Sequence, residues 1–147
     1  MTLKFLGEVR RERVPNIERA IANVTEATSG FVTALAGFGA FPTIRRPRVV
    51  WLGAEATSEL RCLKQDLEWS LAPLGFDSET RAFHPHVTLG RAKPDGGAGA
   101  FRGMDVLMAS MTFSSEVRVH TLDLMQSRPT PSGTRYSVVT GARLGVA

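Results

Sequence analysis

Phe83-His84-Pro85-His86-Val87-Thr88-Leu89-Gly90-Arg91 is the stretch whose reading decides the fold. Pro85 cannot sit inside a helix, and Val87 and Thr88 are β-branched, so a strand is expected over His86 to Leu89. Side chains two apart in a strand share a face, which points His86 and Thr88 the same way. An imidazole moves a proton near neutral pH and a hydroxyl donates a hydrogen bond, so the pair suits one anion. A half-polar strand with a structural histidine would show the same spacing. His84 falls on the same face, and two imidazoles invite a metal. Zinc takes three or four ligands, and His120, Cys62 and the scattered carboxylates have no ligand spacing. No metal and no cofactor are expected.

Working outward, alternation predicts a strand over Thr2 to Gly7, a glycine-punctuated apolar run predicts one over Phe31 to Phe41, and Val49 to Gly53 reads as a short buried strand. Ile17, Ile21, Val24 and Thr28 recur at helical spacing after Pro15, and Gly30 is expected to stop that helix. Leu60, Leu63, Leu67, Leu71 and Leu74 mark a second amphipathic helix closed by Gly75. Arg45 to Arg48 reads as a basic turn, Pro42 to Pro47 as a crossover between halves, and Pro94 to Gly99 as a flexible loop. A short irregular or helical piece should cover Phe101 to Ala109. One long strand is expected through Val117, His120 and Met125, with Arg135 to Leu144 returning as its hairpin partner. Trp51 and Phe31 are expected in the core.

The 147 residues fit a single domain, residues 1–147, with 43% apolar content, enough for a packed core. The net charge of +4 favours an anionic partner without requiring one. Cys62 is the single cysteine, so no intramolecular disulfide can form and a reducing, cytoplasmic setting is expected. No apolar run reaches membrane-spanning length, so no membrane partner is expected. Strands joined by short turns, with two helices between them, give an α+β class with largely antiparallel sheets.

The element order looks like one unit used twice, and the opening supports this. Thr2-Leu3-Lys4 places Thr-Leu in a strand as Thr88-Leu89 does. Three further blocks stand around the pair: Phe41-Pro42, the run from Arg46-Pro47-Arg48 through Trp51-Leu52-Gly53, and Leu124-Met125-Gln126-Ser127 with Gly133-Thr134-Arg135-Tyr136. With these blocks the chain resembles the 2H phosphoesterase superfamily, named for two His-x-Thr/Ser-x tetrapeptides. Within it, the chain resembles the RNA 2′,3′-cyclic phosphodiesterases, also called 2′-5′ RNA ligase-like proteins. The resemblance implies a bilobal, pseudo-symmetric fold with two largely antiparallel sheets around a central cleft and helices outside. The matching first histidine would stand two residues before Thr2, ahead of Met1. A late-set start is the expected reason, and lowered activity of this chain the expected result.

The implied reaction opens a terminal 2′,3′-cyclic phosphate on RNA to a 2′-phosphate. Water must lose a proton as it attacks phosphorus, and a ribose oxygen must gain one as it leaves. His86 would serve one of these steps. Thr2 and Thr88 would hold the phosphate oxygens, where donors already in place are rewarded as charge develops, and Arg91 would pair with phosphate or be a plain surface arginine. Tyr136 would stack on a base, although a buried sheet tyrosine is the commoner fate. Arg45, Arg46 and Arg48 would touch an RNA backbone or simply be solvated. The expected partners are RNA ends or nucleotides carrying the cyclic phosphate. A monomer is expected for the full-length fold, and a dimer or strand exchange if a sheet edge is left open. The competing reading is a non-catalytic RNA or nucleotide-phosphate binder on the same fold.

Overall fold

Residues 1–93 and 100–145 are described by the structure, a computed structural model, and they form two compact units. The first unit comprises Met1–Leu3, Val32–Thr57 and Ala82–Val117, and the second comprises Lys4–Phe31, Ser58–Arg81 and Arg118–Ala147. The expected Pro94 to Gly99 loop lies outside the described residues.

The first unit is built on a four-stranded sheet in the order β3-β2-β1-β4, with β1 Phe31–Thr43, β2 Arg46–Ala54, β3 His86–Arg91 and β4 Ser114–Val119. β1 and β2 form an antiparallel hairpin, and β2 pairs antiparallel with β3. The hairpin turns at Ile44 and Arg45, where the Arg46 amide donates to Thr43 Oγ1 at 3.2 Å. This corrects two expectations: Pro42 to Pro47 is a tight hairpin rather than a crossover, and Arg46 to Arg48 belong to β2. Ala40 and Leu52 are buried on one side of the sheet. A short helix spans Met104–Ser110, ending one residue beyond the expected Phe101 to Ala109 piece.

The second unit packs helix α1, Val14–Ala27, on helix α2, Ser58–Leu71, and on the β5–β6 hairpin, Thr121–Thr130 with Gly133–Arg143. The leucine stripe packs as its spacing predicts: Leu60, Leu63, Leu67 and Leu71 are buried against Ile17, Ile21 and Val24 of α1. At roughly 1.5–3 kcal/mol per large apolar side chain removed from water, this seam stabilises the unit substantially. Helix α1 ends at Ala27, before Gly30, because Thr28 is extended and its hydroxyl donates to the Val24 carbonyl at 2.8 Å. Helix α2 tightens into a 3-10 turn over Ala72–Leu74, and Gly75 at φ 81° ends it, as the sequence predicts.

Two strand expectations fail. Thr2 to Gly7 is irregular chain with Phe5 81% exposed, not a strand, because among the described residues no neighbouring strand supplies its backbone with a ladder. A side chain ties it down instead. Lys4 reaches the buried carboxylate of Glu68 and also donates to the Asp77 carbonyl at 2.7 Å. The long strand through His120 is interrupted there: β4 ends at Val119 and β5 begins at Thr121. The α+β class with antiparallel sheets is as expected. Among the described residues one sheet has four strands and the other two. No described helix is long and apolar enough to cross a membrane.

Candidate functional site

β3 begins at His86 because Pro85, which has no N–H, still accepts from the Ala54 amide at 2.9 Å and so seats the strand against β2. The register then sets Gly53 opposite His86, Leu52 opposite Val87 and Trp51 opposite Thr88. His86 and Thr88 therefore share a face, as the spacing predicts, with their Cβ atoms about 7 Å apart along the strand. Trp51 and Gly53 lie on that same face. From β1, the register adds Gly39 opposite Trp51 and Phe41 opposite Val49.

Arg91 reaches this face only because β3 carries a bulge. Three residues beyond Thr88, it would point away in a regular strand. The ladder instead pairs Val50 with Gly90 and Val49 with Arg91, leaving Leu89 as the extra residue. Such insertions re-aim the side chains that follow, and here the result is one row of His86, Thr88 and Arg91. Thr88 and Arg91 are exposed and His86 is half-buried.

The His86 ring is fixed on several sides. Its Nδ1 lies 2.7 Å from the His84 carbonyl, which can only accept, so Nδ1 carries the proton. Nε2 is left as the working nitrogen: a base when the ring is neutral, an acid when it is charged. The Phe41 ring meets the imidazole edge-on at 5.2 Å and 77°, and Trp51 lies 6.1 Å away at 50°. Phe41 and Trp51 touch each other at 5.2 Å. Trp51 is thus half-buried on the site face rather than a core residue. Its Nε1 is buried and has no hydrogen-bond partner among the described residues.

The remaining predicted residues are not all gathered here. Thr2 is exposed in irregular chain, within the same compact unit as His86. Tyr136 belongs to the other unit, on β6, and at 61% exposed it is not the buried sheet tyrosine its surroundings suggested. It shares a hairpin face with Met125, Ser127 and Val138. His84 precedes β3 instead of sharing its face, and its ring lies 6.5 Å from Phe41. His120 is exposed, with Nδ1 3.2 Å from the Arg118 carbonyl. Among the described residues no three metal-ligating side chains cluster. A shallow groove of about 310 Å³ between α1 and α2, lined by Asn16, Arg19, Asn23 and Ser70, contains none of the predicted site residues.

Sequence reasoning missed Phe41 and Trp51 as neighbours of the histidine. The available signal was the alternation of Gly39 with Phe41 in β1, a small residue beside a large ring, and Gly39 stands opposite Trp51 in the ladder.

Comparison with known proteins converges on one group. The 2′-5′ RNA ligase superfamily matches residues 1–130. A relative named RNA 2′,3′-cyclic phosphodiesterase from Aeropyrum pernix is 36% identical over 142 residues, 95% of this chain and 78% of that protein. One of the same name from Thermotoga maritima is 34% identical over 142 residues, 95% of this chain and 72% of that protein. Among solved structures, a protein of Thermus thermophilus superposes with a TM-score of 0.80 at 27% identity, covering 99% of this chain and 77% of its own. E. coli LigT complexed with 3′-AMP gives a TM-score of 0.74 at 27% identity, covering 97% and 75%.

Proposed function

The chain belongs to the 2′-5′ RNA ligase superfamily, and on that premise we propose that it is an RNA 2′,3′-cyclic phosphodiesterase, a hydrolase that opens a terminal cyclic phosphate to a 2′-phosphate. The single observation that carries the reading is the row on β3. His86 is tethered through Nδ1 so that Nε2 is free, and Thr88 and Arg91 lie on the same face.

In this reaction water attacks phosphorus, the bond from phosphorus to the ribose 3′ oxygen breaks, and the new hydroxyl stays on phosphorus. Nε2 of His86 either takes the water's proton or supplies one to the departing 3′ oxygen. In-line displacement puts those two events on opposite sides of the phosphate, so the other transfer falls to a second group. The Thr88 hydroxyl and the Arg91 guanidinium bind the non-bridging oxygens. Arg91 suits this because its planar fork matches two oxygens at once. Thr2 supplies a further hydroxyl from the N-terminal segment, and Tyr136 a surface for a base to stack on. The reaction as proposed uses no metal and no cofactor. A reducing, cytoplasmic setting is proposed from the single cysteine, Cys62.

The test is incubation with an RNA oligonucleotide ending in a 2′,3′-cyclic phosphate, in the presence of EDTA, with the product read as a 2′-phosphate by mass and enzymatic digestion. Turnover is expected, and His86→Ala should lower it on the order of 10²–10⁴-fold while leaving RNA binding in place. Saturable binding with no turnover would overturn the hydrolase reading in favour of a binder.

A further inference from the structure

We propose that Gly39 is a positioning residue for His86, acting through the indole of Trp51. The inference rests on the reading that His86 transfers protons, and it concerns what holds that imidazole in place.

Glycine weakens a strand interior, so its presence in β1 calls for a reason. The backbone does not supply one: Gly7, Gly37, Gly75, Gly103 and Gly133 have positive φ, and Gly39 does not. Its conformation would accept alanine. The space would not. A Cβ at residue 39 would lie 2.2 Å from Cζ2, 2.3 Å from Cη2 and 2.8 Å from Cε2 of Trp51. The indole lies flat across residue 39, its partner in the ladder. An alanine would drive the ring off by about 1.3–1.8 Å to restore van der Waals contact.

That displacement matters because of what the ring touches next. Trp51, Phe41 and His86 form a triangle of mutual ring contacts with edges of 5.2, 5.2 and 6.1 Å. The Nδ1 bond to the His84 carbonyl fixes one point of the imidazole. The two aromatic rings fix its tilt, and hence the direction of Nε2. A misplacement of about 1 Å in a reacting group costs on the order of 10²-fold in rate. The atoms nearest a Cβ at residue 39 all belong to Trp51, so its contribution passes through that ring.

The experiment is a cycle of G39A, W51F and the double variant, read in two ways. On a cyclic-phosphate RNA, G39A should lower kcat on the order of 10–100-fold with KM little changed. In the W51F background, where the smaller ring leaves room for a methyl group, the same substitution should cost almost nothing. By NMR, the imidazole resonances of His86 should move in G39A and those of His120 should not. Equal losses in both backgrounds, or unmoved His86 resonances in a folded G39A protein, would overturn the proposal. Should G39A alone fail to fold, the double variant must fold; if it too fails, the clash with Trp51 is not the reason for glycine and the proposal falls. Absence of turnover in the unaltered chain would count against the phosphodiesterase reading alone, since the NMR comparison decides the positioning without it.

Discussion

Glu68→Gln is expected to be among the most damaging single changes away from the site. Glu68 lies on α2, is 4% exposed, and receives both Lys4 and Lys64. The lysine side chains are themselves only 7% and 12% exposed. Gln keeps the shape and removes the charge, leaving two largely desolvated ammonium groups facing an amide. Breaking a buried pair this way costs about 3–5 kcal/mol. For a chain near 150 residues each kcal/mol shifts Tm by about 2–4 °C, so a fall of about 6–20 °C is expected. Lys64→Met should cost less, because Glu68 keeps Lys4 and residue 64 is the more exposed partner.

The same carboxylate predicts a pH dependence. Burial raises the pKa of Glu68, but hydrogen bonds from Lys4 and Lys64, and then their charges, outweigh it, and the net value is lowered from 4.5. A carboxylate lowered in the folded state contributes fully above its unfolded value and loses that contribution as pH falls through the folded one. The Tm gap between wild type and Glu68→Gln should therefore be widest at neutral pH and narrow below about pH 4.5. Thermal unfolding by circular dichroism over that range is the assay. A cost below about 1 kcal/mol at pH 7, a gap that does not narrow in acid, or equal costs for Glu68→Gln and Lys64→Met would refute the reasoning.

Arg91→Met should lower kcat/KM on cyclic-phosphate RNA on the order of 10–100-fold, the worth of a charged hydrogen bond to phosphate. Deleting Leu89 removes the bulge but leaves residue 91 two places beyond Thr88 and opposite Val49, on the same face, so it should cost far less; a loss as large as that of Arg91→Met would sink the register argument. Glu79→Gln serves as a contrast. Hydrogen bonds from the Arg81 side chain and backbone lower the Glu79 pKa to about 2, yet the Arg81 side chain is 85% exposed and the pair is screened by solvent. Its removal should leave Tm unchanged within error at neutral pH, by the same thermal scan.

What the sequence revealed divides along physical lines. The leucine stripe of α2 and the His86–Thr88 face were legible because each depends only on local periodicity, and the core or the ladder then enforces it. Thr2 to Gly7 was misread because alternation describes a chain fit for pairing but does not supply the strand it pairs with. The row that includes Arg91 was hidden because a one-residue bulge reverses the parity on which face assignment depends. Trp51 looked like core because a large ring in an apolar run usually is. Its placement beside His86 follows from Gly39, on a different strand and twelve residues away.

The two compact units exchange the chain after Leu3, Phe31, Thr57, Arg81 and Val117, so each is assembled from three separate lengths of sequence. A single cleavage anywhere between Val32 and Val117 leaves pieces of both units in both fragments. Neither half is one uninterrupted length of chain, and a stop codon in that span truncates the two together. An engineer cutting out the histidine-bearing sheet as one uninterrupted length, from Phe31 to Val119, takes helix α2 with it.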